Sequence, residues 1–239
     1  MANMKVIGAD PASGKDTCLW FNDGFEFIAP GRVRSRLAEL LEGEESVLLS
    51  WDAPLSFCKK SFSDRQIDKA ARRWAKTMVE AGRLALKAVN ALPFSGLSHW
   101  VISCESLGYP FGETLSGLQL YPGQKFEPEH NGKYLVEVHP AVSMAFMWLD
   151  QSIKEPFPRY KNDKGALKAI VSALSLPDAC TESDDVLDAY IAYRMSDMFV
   201  NGLAQFPNDP LDGSYVLPLG NNFDEFVLRY PSSPFKNRE

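Results

Sequence analysis

The segment Ser46–Asp52, SVLLSWD, is an almost unbroken apolar run, and Pro54 closes it two residues later. A strand with one wet face alternates apolar and polar residues, whereas a strand covered on both faces does not. The run therefore predicts a strand in the interior of a parallel sheet. Three shorter candidates precede it. Lys5–Asp10 alternates, Cys18–Asn22 is aromatic and apolar, and Phe25–Ile28 follows the turn pair Asp23-Gly24, so together they read as an antiparallel meander. Between meander and buried strand, Arg32–Glu42 carries Val33, Leu37, Leu40 and Leu41 at helical spacing, with Gly43 as a stop.

Further along, a helical pattern runs from Ser63 to about Leu92, with room for one break. Ile67, Trp74, Met78, Ala81, Ala85 and Leu92 share one face, while Arg65, Lys69, Arg72, Arg73, Lys76, Arg83 and Lys87 form a stripe opposite. His99–Cys104 reads as another buried strand. Residues 106–132, rich in Gly and Pro, read as a loop-dominated excursion. Tyr134–His139 is a strand ended by Pro140, followed by helices over Ala141–Leu149, Lys164–Leu174 and Ser183–Val200. The last is apolar nearly all the way round and so should be buried. A Pro-rich extension from Phe206 suggests a short strand pair around Val216 and Val227. The whole of 1–239 reads as one mixed-sheet α/β domain.

Hydrophobic residues make up 45% and charged residues 23%, an ordinary globular composition that excludes disorder. The net charge of -6 is poorly suited to gripping a polyanion. It is unevenly spread: Lys59–Lys87 holds nine basic and three acidic residues (+6), which leaves 16 basic against 28 acidic elsewhere (−12). The basic stripe reads either as a solvated helix face or as a phosphate-backbone contact. Cys18, Cys58, Cys104 and Cys180 are too far apart for a zinc motif and read as separate thiols. No apolar run long enough to span a membrane occurs, and MANMKVIGAD reaches an acid before a signal-peptide core could form, so the cytoplasm is the expected compartment.

The carboxylates carry the candidate chemistry. Asp10 ends the first strand on the face of Val6 and Gly8, and Asp52 ends SVLLSWD. Glu137 lies in YLVEVH, pointing with Leu135 and His139, and Asp184, Asp185 and Asp188 open the buried helix. Singly, each has an ordinary explanation. Asp10 and Asp52 precede prolines as turn residues do, and Asp184 and Asp185 complement a helix dipole behind an N-cap at Ser183. Asp188 lies beyond the first turn, three residues after Asp185 and on its side of the helix. Together, two strand-end acids and this acidic pair resemble a hard-cation site suited to phosphoryl displacement.

Other motifs fall short. GADPASGKD has five residues between Gly8 and Gly14, and Asp16 after Lys15, so it lacks P-loop spacing and hydroxyl and reads as a strand-to-strand turn. There is no G-x-S-x-G elbow, and His139 before Pro140 reads as a packed strand-end residue able to assist at a metal centre. Trp51, Trp74, Trp100 and Trp148 fall on core faces.

Five stretches in order, VIGADPA, SWDAPLSF, DRQIDKAAR, LVEVHPAVS and SDDVLDAYIAYRM, resemble the domain of unknown function family 429, described as predicted ribonuclease H-like nucleases of the RuvC type. The resemblance spans Val6 to Met195. It implies a ribonuclease H-like five-stranded mixed sheet flanked by helices, with Asp10, Asp52 and Asp188 as metal ligands and Asp185 as an additional acid. Glu137 and His139 would line the cleft, and Arg65 and Arg72 would be paired arginines contacting phosphate or clamping Asp68. Lys161 and Lys164 match a Lys-rich step before a helix, while residues 106–132 fit the family poorly.

The expected activity is Mg²⁺- or Mn²⁺-dependent hydrolysis of nucleic-acid phosphodiesters. Asp10, Asp52, Asp188, Asp185 and Glu137 would form its catalytic set, and Lys69 and Lys76 would join the arginines along the substrate backbone. Two rivals use the same fold: a non-catalytic interaction module, and an actin-like ATP-binding phosphotransferase, whose relatives are usually longer than this chain.

Overall fold

The computed structural model describes residues 4–55, 65–89, 97–109, 112–128 and 131–229. The meander forms as β1 (Lys5–Asp10), β2 (Thr17–Phe21) and β3 (Gly24–Ile28), followed by α1 (Val33–Leu41) and β4 (Val47–Trp51). Next come α2 (Gln66–Glu80), α3 (Leu97–Leu107), β5 (Gln119–Leu120), β6 (Lys133–Glu137), α4 (Pro140–Asp150), α5 (Lys164–Ala173) and α6 (Asp184–Val200). The described chain ends with β7 (Ala204–Gln205), β8 (Leu217–Pro218) and α7 (Asn221–Arg229).

The strand order is β3-β2-β1-β4-β6-β5; the β1–β2–β3 pairings are antiparallel and the others parallel. Every residue of β4 is buried, as its apolar run requires. Val47, Leu49 and Trp51 face a layer built with α1 and with Ile102 and Leu107 of α3, while Leu48 faces the larger layer of α2, α4, α5, α6 and α7. The sheet is thus sandwiched between helices on both faces.

Several expectations are corrected. The sheet has six strands rather than five, because β5, inside the excursion, pairs with Tyr134 and Leu135; a strand of two residues has no periodicity to read. The 99–104 run is helical, within α3, because a short apolar run does not distinguish a buried helix from a buried strand. Val227 lies in α7, which buries Phe223 and Phe226, while β8 pairs with β7. The long helix ends at Glu80, and Gly82 follows at φ 68°, a left-handed stop that glycine takes without strain. Both expected ends of that helix, Ser63 and Leu92, lie outside the described residues, as do Cys58 and the side chain of Trp100. Trp51, Trp74 and Trp148 are buried, and Cys18, Cys104 and Cys180 are free thiols. Among the described residues no helix is long and apolar enough to cross a membrane.

One contact positions the site. α6 crosses β1 so closely that a Cβ on Gly8 would lie 2.2 Å from the Tyr193 nitrogen and 2.3 Å from the Ala189 oxygen. Beside it, Ser50 of β4 hydrogen-bonds Ser196 of α6, hydroxyl to hydroxyl, with both residues buried. Small residues on the sheet face therefore let the helix backbone settle onto the strands.

Candidate metal centre

β1 and β4 run in parallel with Ala9 opposite Trp51, and the Asp52 amide donates to the Ala9 carbonyl at 3.0 Å. Asp10 and Asp52 consequently leave the carboxyl edge of the sheet side by side. Asp188 reaches them from the second turn of α6, one residue before Ala189 at the Gly8 contact. One carboxylate oxygen from each of the three lies within 4.8 Å of the others. Asp188 is 1% exposed, whereas Asp10 and Asp52 keep an edge on a cleft of about 300 Å³.

Three carboxylates this close oppose one another's ionisation. Burial, then the charges of Asp188 and Asp52, hold the Asp10 carboxyl well above the usual range, and burial followed by Asp188 does the same to Asp52. Burial also raises Asp188, against the pull of Lys161 and Tyr160. A cluster of oxygen donors with excess negative charge matches the preference of hard divalent cations, so the three aspartates can hold a metal ion.

Two donors hold Asp188 in place. The Tyr160 hydroxyl donates to Oδ1 at 2.7 Å, and the Lys161 ammonium bonds Oδ2 and lies 3.5 Å from Asp184. Burial disfavours the Lys161 charge, but Asp188 and Asp10 outweigh it and raise the ammonium above its ordinary value. Asp185 stands apart from the three and accepts from Lys15 Nζ at 2.5 Å. The segment carrying Lys15 is the turn between β1 and β2, as the failed P-loop spacing implied.

A second polar cluster forms the far wall. Glu137 ends β6, and its Oε2 accepts from Arg65 at 2.6 Å and from the Leu55 amide at 2.8 Å. Arg65 also grips both Asp68 oxygens, at 2.8 and 3.0 Å. Burial pushes Glu137 up to about 7, with Arg65 opposing the shift. Arg65 does not belong to the exposed stripe. It precedes α2 and turns inward, since two buried carboxylates need its charge. His139, at the N-cap of α4, lines the cleft with Nδ1 buried and unpartnered, and burial lowers its pKa to about 4.

The other basic residues lie elsewhere. Lys69, Arg72 and Arg73, with Gln66, line a separate shallow depression on α2, and exposed Lys76 sits 3.8 Å from Glu80. Lys164 is exposed on the first turn of α5 and does not line the cleft. Sequence reasoning missed Tyr160 and Lys15 as partners of the acids. Adjacency to Lys161 was the one available hint for the first, and the second was visible only as the lysine of a discarded motif.

Scans against protein-family models, curated proteins and solved structures find no match to this chain. Fold and site therefore define a class: an α/β protein whose mixed six-stranded sheet carries, at the carboxyl ends of its central strands β1 and β4, a three-aspartate cluster able to hold a metal ion.

Proposed function

We propose that this chain is a ribonuclease H-like nuclease, akin to domain of unknown function family 429, that hydrolyses phosphodiester bonds with Mg²⁺ or Mn²⁺. The observation that carries the reading is the convergence of Asp10, Asp52 and Asp188 within 4.8 Å on the floor of an open cleft. Those three residues would hold the ion. A divalent cation at such a site supplies a Lewis acid that lowers the pKa of bound water and offsets charge on the departing oxygen.

The chain's own groups do the rest. Tyr160 fixes the orientation of Asp188, whose charge Lys161 offsets in the absence of an ion, and Arg65 fixes Glu137 and Asp68 as the opposite wall. Asp185 and Glu137 shape the site from outside the three-aspartate set, each already held by a basic partner. Lys69, Arg72 and Arg73 of α2 line a depression separate from the cleft, where they would offer a phosphate backbone a second contact, while Asp68 of the same helix lines the cleft itself.

The test is cleavage of labelled single strands, RNA–DNA hybrids and four-way junctions with Mg²⁺ or Mn²⁺, and with EDTA. Wild type should cut at least one substrate only with the ion, and Asp10→Asn and Asp188→Asn should not cut. Cutting that persists in both variants, or no cutting of any substrate by wild type, refutes the reading.

A further inference from the structure

We propose that Lys161 is a tethered counter-ion of the three-aspartate cluster, which a divalent cation must displace from Asp188 in order to bind. The inference rests on the metal-site reading above and adds an order of events to it.

Asp188 has no idle oxygen, since Tyr160 occupies Oδ1 and Lys161 occupies Oδ2. To enter a metal's coordination shell it must release one donor or share that oxygen. Tyr160 is poorly placed to leave: it is 1% exposed, and its ring packs 6.3 Å from that of buried Phe157. The Lys161 side chain is 45% exposed and flexible, so it is the donor that gives way.

A resting place already exists beside it. Asp184 lies 3.5 Å from the ammonium and is not one of the three converging carboxylates, so the lysine can transfer to it by a small rotation. Asp185, the other acid on this turn, is held by Lys15. The three aspartates carry up to three negative charges. Lys161 offsets one of them in the ion-free protein, and a divalent ion would offset two.

The test is calorimetric titration of wild type, Lys161→Met, Lys161→Gln and Asp188→Asn with Mn²⁺ and with Mg²⁺, alongside thermal unfolding in EDTA. Lys161→Met should bind either ion about tenfold more tightly or better, a normal size for coupling between competing ligands, and should unfold at a lower temperature without ions. Lys161→Gln, which keeps a polar side chain, should shift affinity the same way and serves if the Met variant does not fold. If the Lys161 variants bind ions no more tightly than wild type while Asp188→Asn abolishes binding, the counter-ion inference fails and the metal site stands. If neither wild type nor the Lys161 variants bind at millimolar ion, both fail.

Discussion

Gly8→Ala tests the contact that builds the site. The added methyl would lie 2.2 and 2.3 Å from two backbone atoms of α6, where ordinary contact begins near 3.4 Å, so helix and strand must separate by roughly 3.4 − 2.2 = 1.2 Å. Neither obstacle is a side chain that can rotate away, which puts the cost near the top of the usual overpacking range, about 3 kcal/mol. For a chain of this length that lowers the melting temperature by about 6–12 °C. The same displacement draws Asp188 away from Asp10, so affinity for Mn²⁺ falls as well. Thermal unfolding and calorimetric titration read the two effects. A change in stability within about 0.5 kcal/mol, the range of an ordinary surface substitution, together with unchanged ion affinity would refute the reasoning.

Two further outcomes follow from buried polar groups. Burial raises Glu137 to about 7 in the folded state, so its contribution to stability is complete below the ordinary carboxylate range and is lost as pH rises through about 7. A shift from 4.5 to about 7 corresponds to about 3 kcal/mol, and urea unfolding in EDTA should show Glu137→Gln flattening the decline between pH 5 and 8 by that order. Wild-type stability that rises across this window would contradict the assignment. For Ser50 and Ser196, either single alanine leaves one buried hydroxyl without its partner and should cost about 1–3 kcal/mol, while the double variant should cost less than the two singles combined. Additive losses would show that the pair is not coupled.

The architecture was readable in the sequence wherever burial imposes a long pattern. The run Ser46–Asp52 marked an interior parallel strand, and β4 is that strand; the all-round apolar helix from Ser183 is α6, with Ser183 Oγ accepting from the Val186 amide as its cap. Legibility failed where the pattern is short. The run His99–Cys104 is part of helix α3, whose Ile102 joins the layer built with α1, and β5 is too brief to alternate. Within the site, Asp10, Asp52 and Asp188 were visible because acids at the ends of apolar elements are conspicuous. Their partners were not. Tyr160 and Lys161 meet Asp188 across 28 and 27 residues, and Lys15 meets Asp185 across 170, separations over which no sequence periodicity carries information. Helical spacing placed Arg65 on the surface stripe because it carries no information about Glu137, 72 residues away, which turns it inward; its clamp on Asp68 is one of the two roles the family resemblance implied.

The central claim is that the three aspartates form one cation site, and anomalous diffraction from crystals grown with Mn²⁺ tests it most directly. The account predicts a single anomalous peak among Asp10, Asp52 and Asp188, within about 2.0–2.6 Å of their oxygens, the bond range for hard divalent cations, with the Lys161 ammonium moved off Asp188. Ordered carboxylates with no peak between them, or a peak elsewhere with Lys161 still on Asp188, would contradict it.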